Sequence, residues 1–369
     1  MKTALVHDWL SGYGGGEKVL ESMYDLYPSK IFTLVKNESK LKNTIFEGRD
    51  IETSFIQNLP LSSKVYRNYL PFFPLAIEQF DLSTYDLVLS SSHAVAKGVL
   101  THANQLHICY CHTPMRYAWD LYAFHMSQVK GPKKLIAQLV LHYMRKWDLS
   151  SVNRVDHFIA NSKYVARRIK KVYGRDSEVI YPPVDTQSFY TSKNKQDYYI
   201  TYSRLVPYKK IDMIAHAFSK MPDKKLIIIG DGPEMPKVKT HSSKNIEILG
   251  YRSNDEIRKL LSEAKAMVFA AEEDFGIVMA ESLASGTPVI AFGKGASSEI
   301  IDQSKTGILF PEQDVDSLIK AVQEFEKNED SFDPLYIKQT ADSFSQERFA
   351  IEYKNFVEKK WSDFKNSRH

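Results

Sequence analysis

Short apolar runs rich in β-branched residues alternate along the chain with stretches whose apolar positions recur every three to four residues. That alternation predicts parallel sheets covered by helices. In the first half, strands are expected over Thr3–His7, Leu87–Ser90, His107–Tyr110 and His157–Ala160, with a helix at Glu17–Leu26 carrying apolar Val19, Leu20 and Met23. The second half is more regular. Tyr198–Ser203, Lys225–Ile229, Ile246–Leu249, Ala266–Ala270, Pro288–Ala291 and Gly307–Phe310 read as buried strands. Helices fall between them at about Ile211–Lys220, Asp255–Ala264, Gly276–Ala284 and Val315–Lys327. This is a complete doubly wound unit, a design that takes ligands beyond the carboxyl ends of its strands. Between the halves, the proline pair in Val179-Ile-Tyr-Pro-Pro-Val-Asp185 stiffens the connection. The expected division is a first domain over 1–183, a second over 184–345, and a helical tail over 346–369 that packs back on the first.

The length of 369 residues is comfortable for two such domains, each with its own core. Hydrophobic residues make up 43% and charged residues 25%, a globular balance rather than a disordered or membrane-spanning one. A net charge of only +4 does not point to nucleic acid as a partner. The basic run Lys163-Tyr-Val-Ala-Arg-Arg-Ile-Lys-Lys171 reads first as a solvated helix face, with a patch attracted to anionic surfaces as the alternative. Cys109 and Cys111, on either side of Tyr110, are expected on opposite faces of a strand, as unpaired core thiols in a reducing compartment. The start enters a strand directly, without the pattern of a signal peptide, and no apolar run approaches the ~20 residues that span a bilayer. A cytoplasmic protein is therefore expected. Two segments, Lys130–Lys146 and Tyr66–Phe73, combine basic residues with an apolar stripe. Core helices and peripheral contact with an anionic membrane remain alternative readings of both.

Three places could carry chemistry. Ser11-Gly-Tyr-Gly-Gly-Gly16 follows a strand and opens a helix, so Gly15 and Gly16 would let backbone N–H groups approach a phosphate, with a Gly-rich tight turn as the equal alternative for the loop by itself. A dinucleotide fingerprint wants glycine where Glu17 stands, which argues against a nicotinamide enzyme. In Tyr202-Ser-Arg-Leu-Val-Pro-Tyr-Lys-Lys-Ile211 a strand end delivers Arg204 and then Lys209, two cations suited to a leaving diphosphate. In Glu272-Glu-Asp-Phe-Gly-Ile-Val-Met-Ala-Glu281, Glu273 and Glu281 bracket a helix start, where the N–H groups of Gly276, Ile277 and Val278 would meet phosphate oxygens. Asp314-Val-Asp316 has the look of a metal-binding pair, but its place at a helix start makes it a cap, and no metal or cofactor is expected.

Taken in order, these motifs resemble the retaining glycosyltransferases of the two-Rossmann GT-B architecture known as family 4. The pair Glu273 and Glu281 matches that family's spaced glutamates. Gly14-Gly15-Gly16, Ser203–Lys209, Gly230-Asp-Gly-Pro233, Leu249-Gly250, Gly286-Thr-Pro-Val289 and Thr306–Phe310 match its other landmarks across nearly the whole chain. One departure is Gly295-Ala296, where such proteins often carry two glycines. Tyr110–Trp119 and Ser90–Lys97 look like bacterial O-antigen-type mannosyltransferases that use GDP-mannose.

The resemblance implies an α/β fold of two Rossmann-like domains facing each other across a cleft. It implies transfer of a hexose to a glycan or lipid-linked saccharide with retention of configuration, and the narrower likeness to O-antigen-type enzymes implies mannose from GDP-mannose as the donor. Within it, Arg204 and Lys209 would meet the departing diphosphate, Glu273 the sugar hydroxyls, and Glu281 the ribose. Phe275 falls in the donor-binding loop, Tyr251-Arg252 lies against the base, and His112 faces the sugar from the first domain. A UDP-sugar donor is the alternative within the class, and a UDP-sugar epimerase is the alternative outside it.

Overall fold

The computed structural model describes residues 1–367. The chain forms two compact units, one of Met1–Pro182 together with the stretch from Phe349 onward, the other of Pro183–Arg348. Each is built on a sheet whose strand pairs are all parallel. The first holds β1 (Thr3–His7), β2 (Ile31–Thr33), β3 (Ile51–Thr53), β4 (Leu87–Ser92), β5 (Leu106–Cys111), β6 (His157–Ala160) and β7 (Ser177–Val179), in the order β3-β2-β1-β4-β5-β6-β7. The second holds β8 (Tyr199–Tyr202), β9 (Leu226–Ile229), β10 (Ile246–Gly250), β11 (Ala266–Phe269), β12 (Val289–Phe292) and β13 (Gly307–Phe310), in the order β10-β9-β8-β11-β12-β13. In both sheets the order reverses beside the first strand, between β1 and β4 and between β8 and β11. Chains diverge at the carboxyl ends there and leave a crevice.

The central strands are buried along their whole length because helices cover both faces of each sheet. All six residues of β4 and all six of β5 are buried. Alternation survives only as a division between two cores: Ala4 and Val6 join Phe32, Val88 and Met144 on one side, while Leu5 joins Leu20, Ile108, Tyr110 and Ile159 on the other. The helix Gln346–Asn366 belongs to the second of these cores. It buries Phe349, Tyr353 and Val357, spaced four apart on one face, and the first two rings stack 5.3 Å apart.

The cysteine expectation is corrected in one respect. Residues two apart on a strand share a face, and Cys109 and Cys111 both enter the cluster of Val155, Phe158, Val165 and Ile169. Both thiols are free, and burial pushes them up, to about 12 for Cys109. The basic run is also only partly solvated. It forms the helix Lys163–Tyr173, capped by Ser162 and ended by Gly174 at φ 66°, but Arg168 turns inward to Asp120 and Thr113. Beneath β5, Lys97 and Asp148 form a fully buried ion pair at 2.7 Å, into which Ser151, Trp119 and Tyr173 add hydrogen bonds.

Candidate functional site

In the second unit, the end of β8 is clamped from behind. Leu205 N–H donates to Asp231 O at 2.9 Å, and a Cβ on Gly230, at φ 129°, would fall 1.9 Å from Ser203 O. Only glycine fits that approach. Arg204, Tyr251, Arg252 and Asn254 line a cavity of about 310 Å³ beside this strand end, with Tyr251 81% exposed at its lip. Lys209 follows on a single 3₁₀ turn, Pro207–Lys209, and its Nζ lies 2.6 Å from Glu273 Oε1. Both partners are largely shielded from water, so the contact is stronger than a surface ion pair.

Glu273 is fixed by its own backbone. Its carbonyl accepts from Ala296 N–H at 3.0 Å, and Gly295 at φ 78° brings its α-carbon so close that a Cβ would meet that carbonyl at 2.6 Å. Ala296 sits at an ordinary φ of −82°, so the departure from a second glycine costs no strain. Gly276, at φ 87°, is the N-cap of the helix Ile277–Ala284, and Phe275 is buried just before it. The first bond inside that turn runs from Met279 N–H to Gly276 O, so the N–H groups of Ile277 and Val278 lack intrahelical partners. One turn on, Glu281 accepts a hydrogen bond from Tyr202 O–H at 2.7 Å. Burial, and after it the Glu281 charge, raises the Tyr202 hydroxyl far above its usual range, so it stays a donor. The two glutamates thus stand on one loop-and-helix unit, each held by a partner from the β8 side of the switch point. Asp314 caps the helix Val315–Lys327 by accepting from Ser317 N–H at 2.7 Å.

In the first unit, Gly15 begins the helix Gly15–Leu26. The Glu17 carboxylate reaches back to accept from Gly14 N–H at 3.0 Å, placing negative charge at the helix end where a phosphate was expected. Gly16 instead opens space for two rings: a Cβ there would lie 3.7 Å from His7 and 3.8 Å from His112. His112 follows β5, and its Nε2 lies 2.8 Å from Ser91 Oγ. Asp8, fully buried, receives the N–H groups of His93, Ala94, Val95 and Ala96 at 2.6–3.0 Å and also meets His93 Nδ1 at 3.0 Å. It thereby fixes the loop after β4 at the switch point. Beside it opens a largely apolar cavity of about 550 Å³, bounded by Trp9, Phe73, His93, Thr113, Arg116 and Tyr117 among others.

Sequence reasoning singled out Glu273, Glu281, Arg204, Lys209 and His112 but missed their partners Tyr202 and Ser91, and also missed Asp8 and His7. A signal was present. His7-Asp8 and Ser90-Ser-Ser-His93 place polar side chains at the buried carboxyl ends of strands that begin apolar, where burial demands a hydrogen-bond partner for each.

Two family models match in tandem: Glycosyltransferase Family 4 over residues 37–188 and Glycosyl transferases group 1 over 185–342. The chain is 29% identical over 170 residues to an O-antigen chain mannosyltransferase of Salmonella typhimurium, covering 43% of this chain and 47% of that protein. It is 29% identical over 196 residues to a GDP-mannose-dependent monoacylated phosphatidylinositol monomannoside mannosyltransferase of Corynebacterium glutamicum, covering 44% and 51%. The matched stretches thus span about half the length of these relatives. Among solved structures, an Anabaena protein in complex with UDP-glucose aligns with a TM-score of 0.70 over 97% of this chain and 100% of its own, at 18% identity. That likeness is one of fold: two α/β units on parallel sheets, the GT-B arrangement.

Proposed function

Because the chain belongs to the group 1 and family 4 glycosyltransferases, we propose that it transfers mannose from GDP-mannose to a glycan or lipid-linked saccharide, with retention of configuration. The observation that carries this reading is the switch point of the second sheet, where Lys209–Glu273 and Tyr202–Glu281 flank the open end of a helix. A diphosphate at Ile277 and Val278 N–H would compete for Lys209 and release Glu273 to the sugar hydroxyls. Glu281, oriented by Tyr202, would take the ribose, and the cavity between Arg204 and Tyr251 the base. Arg204 and Lys209 would neutralise the leaving diphosphate without a metal ion. His112 would contact the sugar, as the family resemblance implies. The choice of mannose and GDP follows the names of the two mannosyltransferases, and the place in surface-polysaccharide synthesis follows the first of them.

Thermal denaturation with GDP-, UDP- and ADP-sugars, paired with NMR of the products, tests the reading. GDP-mannose should stabilise most, since a ligand held only by the folded state raises its apparent stability. Larger stabilisation by a UDP-sugar would move the assignment to that donor. Conversion of a nucleotide sugar to its epimer without any acceptor would end the transfer reading.

A further inference from the structure

Three buried side chains at the switch point of the first sheet share two hydrogen bonds. His7 on β1 and Ser91 on β4 lie directly opposite each other in register, with His7 Nδ1 3.1 Å from Ser91 Oγ. The same hydroxyl lies 2.8 Å from Nε2 of His112, which follows β5. His7 Nε2 is buried and has no hydrogen-bond partner. We propose that His7 and Ser91 form a relay that locks His112 as its Nδ1–H tautomer, so that His112 offers substrate a hydrogen-bond donor and not a base.

The argument is a count of protons. A neutral imidazole carries one N–H, and a hydroxyl supplies one O–H with two lone pairs. Burial lowers His7, and lowers His112 well below its usual value, so both rings are neutral near pH 7. If both rings donated to Ser91, its buried hydroxyl hydrogen would have no acceptor and the His7 Nε2 lone pair would also go unmet. Two orphaned groups make that arrangement the worst. If neither ring donated, the single hydroxyl hydrogen could serve only one of them, the other contact would set lone pair against lone pair, and the His7 Nε2–H would have no acceptor. The remaining arrangements run in opposite directions. In one, Ser91 donates to His7, whose proton then sits on Nε2 as a buried N–H without an acceptor. In the other, His7 Nδ1–H donates to Ser91, Ser91 donates to His112 Nε2, and only a lone pair is left over at His7.

The leftover group decides between them. The His7 ring lies against Gly16, in the first turn of the twelve-residue helix Gly15–Leu26. The Glu17 carboxylate offsets the partial positive charge of that helix end, so the helix favours neither arrangement. Orphaned buried N–H groups are the rarer defect in folded proteins, and a leftover lone pair is the lesser cost. The relay therefore runs from His7 through Ser91 to His112, and the His112 proton sits on Nδ1. The consequence for sugar transfer rests on the reading above: His112 donates to a sugar or phosphate oxygen, and no proton is withdrawn from the acceptor through it. His7 and Ser91 are positioning residues.

Long-range ¹H–¹⁵N correlation on histidine-labelled protein, assigned with a His112→Gln sample, reads the tautomer without any assay of activity. The expected spectrum shows His112 protonated at Nδ1 and unprotonated at Nε2. In Ser91→Ala the lock is removed, and the His112 signals should shift toward a mixture of both tautomers. A wild-type His112 protonated at Nε2 overturns the proposal, whether or not the variant folds, as does an unchanged tautomer in folded Ser91→Ala. In transfer assays Ser91→Ala should lower kcat about tenfold with little change in KM, the scale of one lost hydrogen bond, and Ser91→Thr should restore part of it. Absence of any sugar transfer by the wild type would remove the function and leave the tautomer result standing.

Discussion

One phenolic hydroxyl helps to orient the Glu281 carboxylate. Tyr202 O–H occupies one oxygen, Oε2, at 2.7 Å. Replacing Glu281 by Ala should therefore weaken binding of the free nucleotide by about 10- to 100-fold, the range for charge-assisted bonds, while Tyr202→Phe should cost about tenfold or less. Glu273→Ala should instead act mainly on turnover. Calorimetry with free nucleotide beside steady-state kinetics separates these effects, and wild-type values from both glutamate variants would remove the assignment. Arg204→Ala should lower turnover by about 100-fold or more, and Arg204→Lys should recover only part, because an ammonium lacks the planar fork. Activity should survive EDTA. Loss with EDTA and rescue by magnesium would require a metal-based account of the leaving group. The glutamates and cations were legible because each sits in a local motif at a strand end. Their partnerships were not, since Tyr202 and Glu281 are 79 residues apart and meet only because β8 lies beside β11. Ser91 was hidden for the same reason.

Among the elements, the helix Lys133–Ser150 packs into the core as one reading of its sequence expects, and leaves part of its apolar stripe exposed. Its inner side buries Leu141, Met144 and Trp147 in the core, while Leu135, Ile136 and Leu139 stand 62%, 62% and 63% exposed. Periodicity registered the apolar stripe but could not reveal that it is wider than the core it covers. The neighbouring segment Tyr66–Phe72 behaves likewise, burying Tyr66 and exposing Phe72. With Lys130, Lys133, Lys134 and Lys146 nearby in sequence, this face suits the interface of an anionic bilayer. No helix among the described residues is long and apolar enough to cross one. Flotation with anionic liposomes at low salt should carry the protein upward, and Leu135→Glu combined with Leu139→Glu should abolish flotation without changing thermal stability. Wild-type protein that stays at the bottom would leave the exposed stripe without a membrane role. Strands were legible in proportion to length. β2, β3 and β7 have three residues each, too few to establish a period against their surroundings, whereas the four- to six-residue central strands stood out.

At the scale of the whole molecule, acid stability follows from buried neutral histidines. His107 is held at about 4, chiefly by burial, with its Nδ1–H donated to Arg154 O and its Nε2 facing Ser90. The unfolded chain takes up a proton near the ordinary value of about 6.5, so between roughly pH 6.5 and 4 the unfolded state binds more protons than the folded one. Stability is fully present above that window and falls as pH drops through it, by up to about 1.4 kcal/mol per pH unit for this group. His7 and His112, also lowered by burial, act in the same direction. Chemical denaturation at stepwise lower pH should show the decline, and a folded His107→Gln protein should show a shallower one. An unchanged slope would mean that other groups govern acid unfolding.

The helix Gln346–Asn366 supplies Phe349, Tyr353 and Val357 to a core whose other members come from before residue 183. On a ribosome this becomes a matter of timing. At about 5–20 residues per second, the stretch Pro183–Arg348 takes roughly 10–30 s to emerge, and for that interval Tyr110, Ile159 and Ile180 wait beneath an uncovered groove. The nascent first unit is a lidless box, sticky on one wall, until the helix Gln346–Asn366 is made and closes it. Chaperones that bind apolar surface have their opening in that interval, and a chain released early would be an aggregation-prone product rather than a working half.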